Sequence, residues 1–216
     1  MKRITLLLCA TAFVFAACNN KKEEDKKTVG TTDTTDQVKT KEAWVPIDSV
    51  MMDKAWKENM TISEQHKMLA KAAGTWTGDV TMWMADGAPP MKSTSTTVTK
   101  SIYGGLYQQT NHSGDMMGMP FEGMSLMGYD NLKKEFFSTW IDNMGSGIYV
   151  STGAWDAATK TINLTGTMRC MNGQDAQMRE VFIMTDDDHQ TMEMYGPDPK
   201  TGKEYKSMEI KYTRKK

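Results

Sequence analysis

Histidine and cysteine are scarce in this chain of 216 residues, three of each, and most of the chemistry that depends on them falls away at once. Cys9 and Cys18 both lie near the amino terminus, so Cys170 stands alone and a disulfide framework is excluded. A single thiol with no histidine beside it in sequence reads as structural rather than nucleophilic. His66, His112 and His189 are widely separated, and neither His-Glu-x-x-His nor Cys-x-x-Cys occurs, so no zinc site is written here. Haem ligation through His112 would require that side chain to face inward on its strand. Gly-x-Ser-x-Gly is missing as well, because Gly123-Met124-Ser125 runs through Leu126-Met127 before Gly128. The stretch Gly196 to Lys203 places Glu204 where a phosphate loop needs Ser or Thr. Asp186-Asp187-Asp188 lacks the spacing and distal Glu of a calcium loop and reads as a polar hairpin tip. Catalysis is therefore not expected.

Positive charge is in short supply too. The 26 basic residues are matched by 27 acidic ones with no basic stripe, which argues against a nucleic-acid partner. The amino-terminal apolar run, Ile4 to Ala17, is too short to span a bilayer, and with Lys2 and Arg3 ahead of it residues 1–17 read as a secretory signal. Phe15-Ala16-Ala17-Cys18 is similar to a bacterial lipobox, with Phe15 where Leu is usual. Cys18 is thus expected to be acylated and to tie the mature chain to a membrane, since several acyl chains anchor stably where one is marginal. Cleavage would leave 24 of the 26 basic residues against 27 acidic ones. Residues 18–46 carry interleaved charges and almost nothing apolar, the composition of a disordered tether. Asn19 is not the Asp that favours inner-membrane retention, and Lys22-Glu23-Glu24-Asp25 resembles acidic export tags. The expected home is the bacterial cell envelope, at the outer membrane.

Beyond the tether, residues 47–73 read as helical. Asp48-Ser49 can cap a helix from Val50 to Asn59, and Thr61-Ile62-Ser63-Glu64 reads as a capping box opening a second one, with Met68, Leu69 and Ala72 on one face. His66 on that helix reads as a surface or capping residue. Gly74 suits the helix stop, and from Trp76 the apolar and polar residues alternate at strand period. Ten such runs follow with short turns and no helix between them, ending in Glu204 to Arg214. The expected fold of residues 74–216 is all-β, an antiparallel meander closed into a barrel of about eight to ten strands and preceded by one or two short helices. Gly74-Thr75-Trp76, with Arg214 on the apolar face of the last strand, resembles the lipocalin-like (calycin) closure, in which a basic residue covers the first-strand Trp.

The run from Gly114 to Gly123, then Gly128-Tyr129-Asp130-Asn131, then Ser138 to Gly145, resembles a bacterial family known as domain of unknown function 1579. His66-Lys67, Gly87-Ala88-Pro89-Pro90-Met91 and Met208 to Arg214 extend the resemblance over nearly the whole domain. What it implies is a lipocalin-like barrel. The family has no established activity or ligand, so no catalytic residue is carried over.

Methionine is abundant, with 21 residues. Met116, Met117 and Met119 fall where a loop is expected, a thioether cluster of the kind Cu(I) prefers; elsewhere Met is an adaptable filler of cores and pockets. No cofactor is expected, with Cu(I) as the alternative. The strand Met91 to Ile102 is small and polar on both faces, and Gly123, Gly128, Gly153 and Gly166 add positions without side chains, so an underfilled lumen is expected. Tyr129, Trp140 and Tyr195, with Asp142 and Glu193, are candidate ligand-binding residues: an apolar wall with few polar groups suits a small apolar or amphiphilic guest. A lipid-anchored, ligand-binding barrel is the first reading. A Cu(I)-binding envelope protein and an interaction module with a filled barrel are the alternatives. Nothing assigns an oligomeric state.

Overall fold

The computed structural model describes residues 43–216, and within Pro46–Lys216 two helices precede ten strands. Helix α1 (Ser49–Asn59) starts where Asp48 Oδ1 accepts the Met51 N–H at 2.8 Å. Helix α2 (Glu64–Ala70) starts at Ser63, whose N–H donates to His66 Nδ1 at 3.2 Å. His66 thus fills the place usually taken by Glu in a capping box. The box lies two residues beyond the expected Thr61–Glu64 because Thr61 is spent closing α1, its Oγ1 donating to Lys57 O at 2.7 Å. The helix also ends three residues before Ala73. Lys71, Ala72 and Ala73 each donate three residues back, a tightened last turn that delivers the chain to Gly74 at φ 142°.

The strands are β1 (Gly74–Met82), β2 (Met91–Ile102), β3 (Tyr107–Met116), β4 (Met119–Asp130) and β5 (Glu135–Asp142), then β6 (Tyr149–Asp156), β7 (Thr161–Arg169), β8 (Asp175–Met184), β9 (His189–Pro197) and β10 (Glu204–Arg214). Each pairs antiparallel with the next, and β10 returns to β1, so the barrel is closed and no edge is left open.

The two ends of the barrel differ. At one end α2 acts as a plug, and Leu69 packs with Met127, Phe136, Ile162 and Leu164. Burying Leu69 alone contributes about 1.5–3 kcal/mol. Trp76 is buried beneath Arg214, whose guanidinium carbon lies 4.1 Å from the ring centroid. Arg214 also donates to the carbonyls of Ala73 (2.6 Å) and Lys71 (2.8 Å), groups that the end of α2 leaves unpaired. One side chain therefore covers the indole and caps the helix. Asn131 ties α1 to the same rim, donating from Nδ2 to Glu58 O at 2.9 Å and Thr61 O at 2.7 Å.

At the other end, a loop was expected between β3 and β4, and a two-residue turn is found. Met116 pairs with Met119, and Met117 (φ 54°) and Gly118 (φ 82°) make the turn. Two positive φ values match the twist of the flanking strands, so both strands run straight through to it. Gly114 does not break β3, because that position lies close against the backbone of Thr94 and Ser95.

Candidate functional site

With Trp76 facing inward, strand period directs Val80 and Met82 inward on β1, and register carries the choice around the barrel. Near the hairpin end the lumen holds a cavity of about 350 Å³, at the lower end of the usual 300–1,000 Å³ for ligand pockets. A second space of about 80 Å³ lies towards α2, against Leu69 and Trp76. His112, Ser125, Phe182, Met192 and Tyr212 line both.

The space comes chiefly from small polar side chains, and Gly114 is the one glycine on its lining. Ser93 and Ser95 of β2, Ser125 of β4 and Ser138 of β5 all line the larger cavity. The expected glycine gaps are occupied: the Trp140 indole lies across Gly123, the Tyr149 ring lies over Gly166, the Asn163 backbone presses on Gly153, and Phe137 and Tyr107 cover Gly128. In each case a glycine is present so that something else can come close.

The five expected ligand-binding residues are divided. Trp140 and Asp142 line the cavity, joined by a 2.7 Å hydrogen bond from Trp140 Nε1 to Asp142 Oδ2. Tyr129 is elsewhere, at the α2 end, its ring 4.9 Å from Phe136 and 6.0 Å from His66. Glu193 and Tyr195 have the opposite parity to Met192 and Met194, which line the cavity, and they face the barrel exterior. There Glu193 pairs with Lys206 at 3.0 Å, and Tyr195 stacks beneath Arg179 at 3.7 Å. Alternation alone does not say which face is inward, and that pair was placed on the wrong one.

The methionine trio is divided as well. Met116 lines the cavity, while Met117 and Met119 are exposed at the turn. Met82, Met168, Met192, Met194 and Met208 also line the cavity, so the thioethers are spread along its walls as pliable apolar surface. Among the described residues no group of three or more His, Cys, Asp or Glu is placed to hold a metal ion. Cys18 lies outside the described residues.

Two lining groups matter more than their sequence context indicated. His112 faces inward, its Nδ1 3.0 Å from Thr97 Oγ1 and its ring edge-on to Trp140 at 5.1 Å. Burial lowers its pKa to about 4, so the imidazole is neutral at physiological pH. Glu180 is 5% exposed and receives one hydrogen bond, from Ser151 Oγ to Oε2 at 2.7 Å. Burial raises its pKa, the Ser151 bond opposing only in part. A signal for Glu180 existed: it interrupts the row Met178, Phe182, Met184, a carboxyl on an otherwise apolar face of β8.

Fold and cavity together define the class: a closed, ten-stranded antiparallel barrel of lipocalin-like build, capable of enclosing a small ligand. Within that class the chain belongs to the family described as protein of unknown function (DUF1579), whose model matches residues 61–214. Among solved structures it is similar to the crystal structure of Rv2717c from M. tuberculosis, with 11% identity, TM-score 0.54, and 72% of this chain and 100% of that one covered. It is also similar to the S-type phycobiliprotein lyase CPES from Guillardia theta, with 9% identity, TM-score 0.50, and 74% and 96% covered. At these identities the likeness is one of fold. No curated protein matches the chain.

The family motifs acquire structural roles. Asp130 Oδ1 accepts from the N–H groups of Leu132 and Lys133, shaping the β4–β5 turn, and Asn131 latches α1. Asn143 joins the other two motifs, donating to Pro120 O and accepting from Glu122 N–H, both at 3.0 Å. These residues hold turns and strands together, which accounts for a specific motif that carries no reactive group.

Proposed function

We propose that this protein is a lipid-anchored envelope protein whose barrel binds a small, largely apolar or amphiphilic ligand, without catalysis. The observation that carries the reading is the 350 Å³ cavity, whose wall is shared between Met, Phe, Trp and Ile side chains and polar groups, serines foremost. A filled-barrel module has no use for such a space, because closing it with larger side chains would add stability. The anchoring half rests on the lipobox-like Phe15–Cys18 and the polar tether behind it.

Native mass spectrometry of protein taken from its own envelope tests the ligand directly, a retained small molecule being the expected result. In parallel, the neutral fluorophore N-phenyl-1-naphthylamine should bind the purified barrel. Ser138→Leu, which fills the cavity from β5, should weaken it about tenfold or more. Trp140→Ala removes apolar wall and should act in the same direction. An unliganded mass together with no binding across a panel of apolar probes would move the reading to an interaction module.

A further inference from the structure

Charge in the cavity is one-sided. Asp115 and Asp142 stand towards its mouth and Glu180 is buried within it, while no lysine or arginine lines it. Lys206 of β10 is paired with Glu193 and Glu209 at 3.0 and 2.6 Å. Glu180 is the unusual member. Its Oε2 takes the Ser151 bond, and among the described residues nothing hydrogen-bonds Oε1. Its neighbours in register, Leu164 on β7 and Met194 on β9, are apolar, and on β6 the facing groups are Ser151 and Tyr149. Ser95 Oγ, on the same lining, is buried and also without a partner among the described residues. Oε1 is open to the lumen, since among the described residues Ser95 Oγ alone is a fully enclosed side-chain polar atom without a partner, and a hydrogen-bond donor or a cation in the lumen would complete the set of groups the carboxyl can accept from.

We propose that the cavity selects a basic amphiphile, with an apolar body along the methionine and aromatic walls and a protonated amine against Glu180 Oε1. This deepens the ligand-binding reading and rests on it. An ammonium group satisfies the carboxyl, and the aromatic rings of Tyr149, Trp140 and Phe182 supply negative faces to a cation inside the lumen. A carboxylate headgroup meets the opposite situation: three acidic side chains and no counter-charge. Binding of the ammonium form to protonated Glu180 releases that proton to solvent and leaves an ammonium–carboxylate pair. Amine affinity therefore rises with pH while Glu180 is being ionised, and falls again once the amine itself loses its proton. Asp115 and Asp142 at the mouth, His112 and Tyr212 on the wall and Tyr149 beside Glu180 are the other titratable groups facing the site.

Displacement of N-phenyl-1-naphthylamine by decylamine, decanol and decanoate separates headgroup from chain. Decylamine should compete roughly tenfold more tightly than decanol, and decanoate least well, as expected of a charge-assisted contact in a dry site. Glu180→Gln keeps the shape and an acceptor for Ser151, so decanol should bind it within about twofold of the native protein while the amine preference disappears. Calorimetry in buffers of different ionisation enthalpy should report proton release on decylamine binding at low pH that dies away as pH rises and Glu180 ionises in the free protein. Decanoate binding as tightly as decylamine, or an amine preference surviving in E180Q, would overturn the headgroup proposal and leave the ligand reading intact. Failure of all three compounds and of the fluorophore to bind would overturn both.

Discussion

His112 and Glu180 face one lumen, and burial drives both towards their neutral forms, with opposite consequences for stability. The folded value for His112 lies near 4, below the 6.5 of a free histidine. The unfolded chain therefore takes up a proton that the folded chain refuses, and the stability present above pH 6.5 is lost as pH falls towards 4. The loss amounts to up to roughly 3 kcal/mol. Urea midpoints measured across that window should fall steeply, and His112→Gln should flatten the curve. For Glu180 the folded value lies above 4.5, so the folded chain holds the proton more tightly, and its contribution is lost as pH rises through that value. Glu180→Gln should therefore be more stable than the native protein at neutral pH, read as a higher thermal midpoint. A stabilising change at a residue kept for binding is the usual sign of a site that trades stability for function. Equal or lower stability of E180Q would mean that the carboxyl is better satisfied than its single bond to Ser151 indicates.

Among the elements, closure of the barrel depends on a few side chains at the α2 end. Trp76→Ala removes a buried indole that donates to Ala72 O at 2.9 Å and should cost about 3–5 kcal/mol. Arg214→Ala gives up a partly exposed cation–π contact and two capping bonds, and should cost less, about 1–2 kcal/mol. Asn131→Ala frees α1 from the rim at a cost of about 1–3 kcal/mol, because Asn131 is buried and carries two short bonds. Denaturant titration should find Trp76→Ala the most destabilised of the three, and near-zero effects for both Trp76 and Arg214 would show that the closing pair does not hold the end together. These elements were legible because alternation and turn residues are local signals. Met91–Ile102 and Glu204–Arg214 have the same bounds in the structure as in the sequence. The β3–β4 hairpin was less legible, since Gly114 and Gly118 look like breakers until Gly114 is seen packed against β2 and Gly118 in a tight turn. Legibility fell furthest in the lumen. Strand period groups residues into two faces without saying which is inward, and of the four strand residues grouped by it Trp140 and Asp142 line the cavity while Glu193 and Tyr195 face outward. Glu180 escaped notice because a charged residue in a strand is usually on the solvent face, and only the methionines and Phe182 around it contradict that.

At the scale of the whole molecule, the barrel exterior bears on how the protein would meet a membrane. Outward-facing ion pairs such as Arg179–Glu204 at 2.8 Å and Lys206–Glu209 at 2.6 Å would be expensive on a lipid-facing wall. Among the described residues no helix is long and apolar enough to cross a bilayer. The lipobox-like sequence at Cys18 is the attachment point we propose. Cys18→Ser should convert a membrane-fraction protein into soluble or uncleaved material and abolish metabolic labelling with a fatty-acid probe, whereas probe labelling of the serine variant would remove Cys18 as the attachment point. Cys18 lies outside Pro46–Lys216, the unit that forms the barrel, so the same variant should bind N-phenyl-1-naphthylamine and prefer decylamine to decanol just as the native chain does. A serine variant that lost ligand binding along with anchoring would mean that the lumen opens only at a lipid surface, and the ligand would then be one delivered from the bilayer.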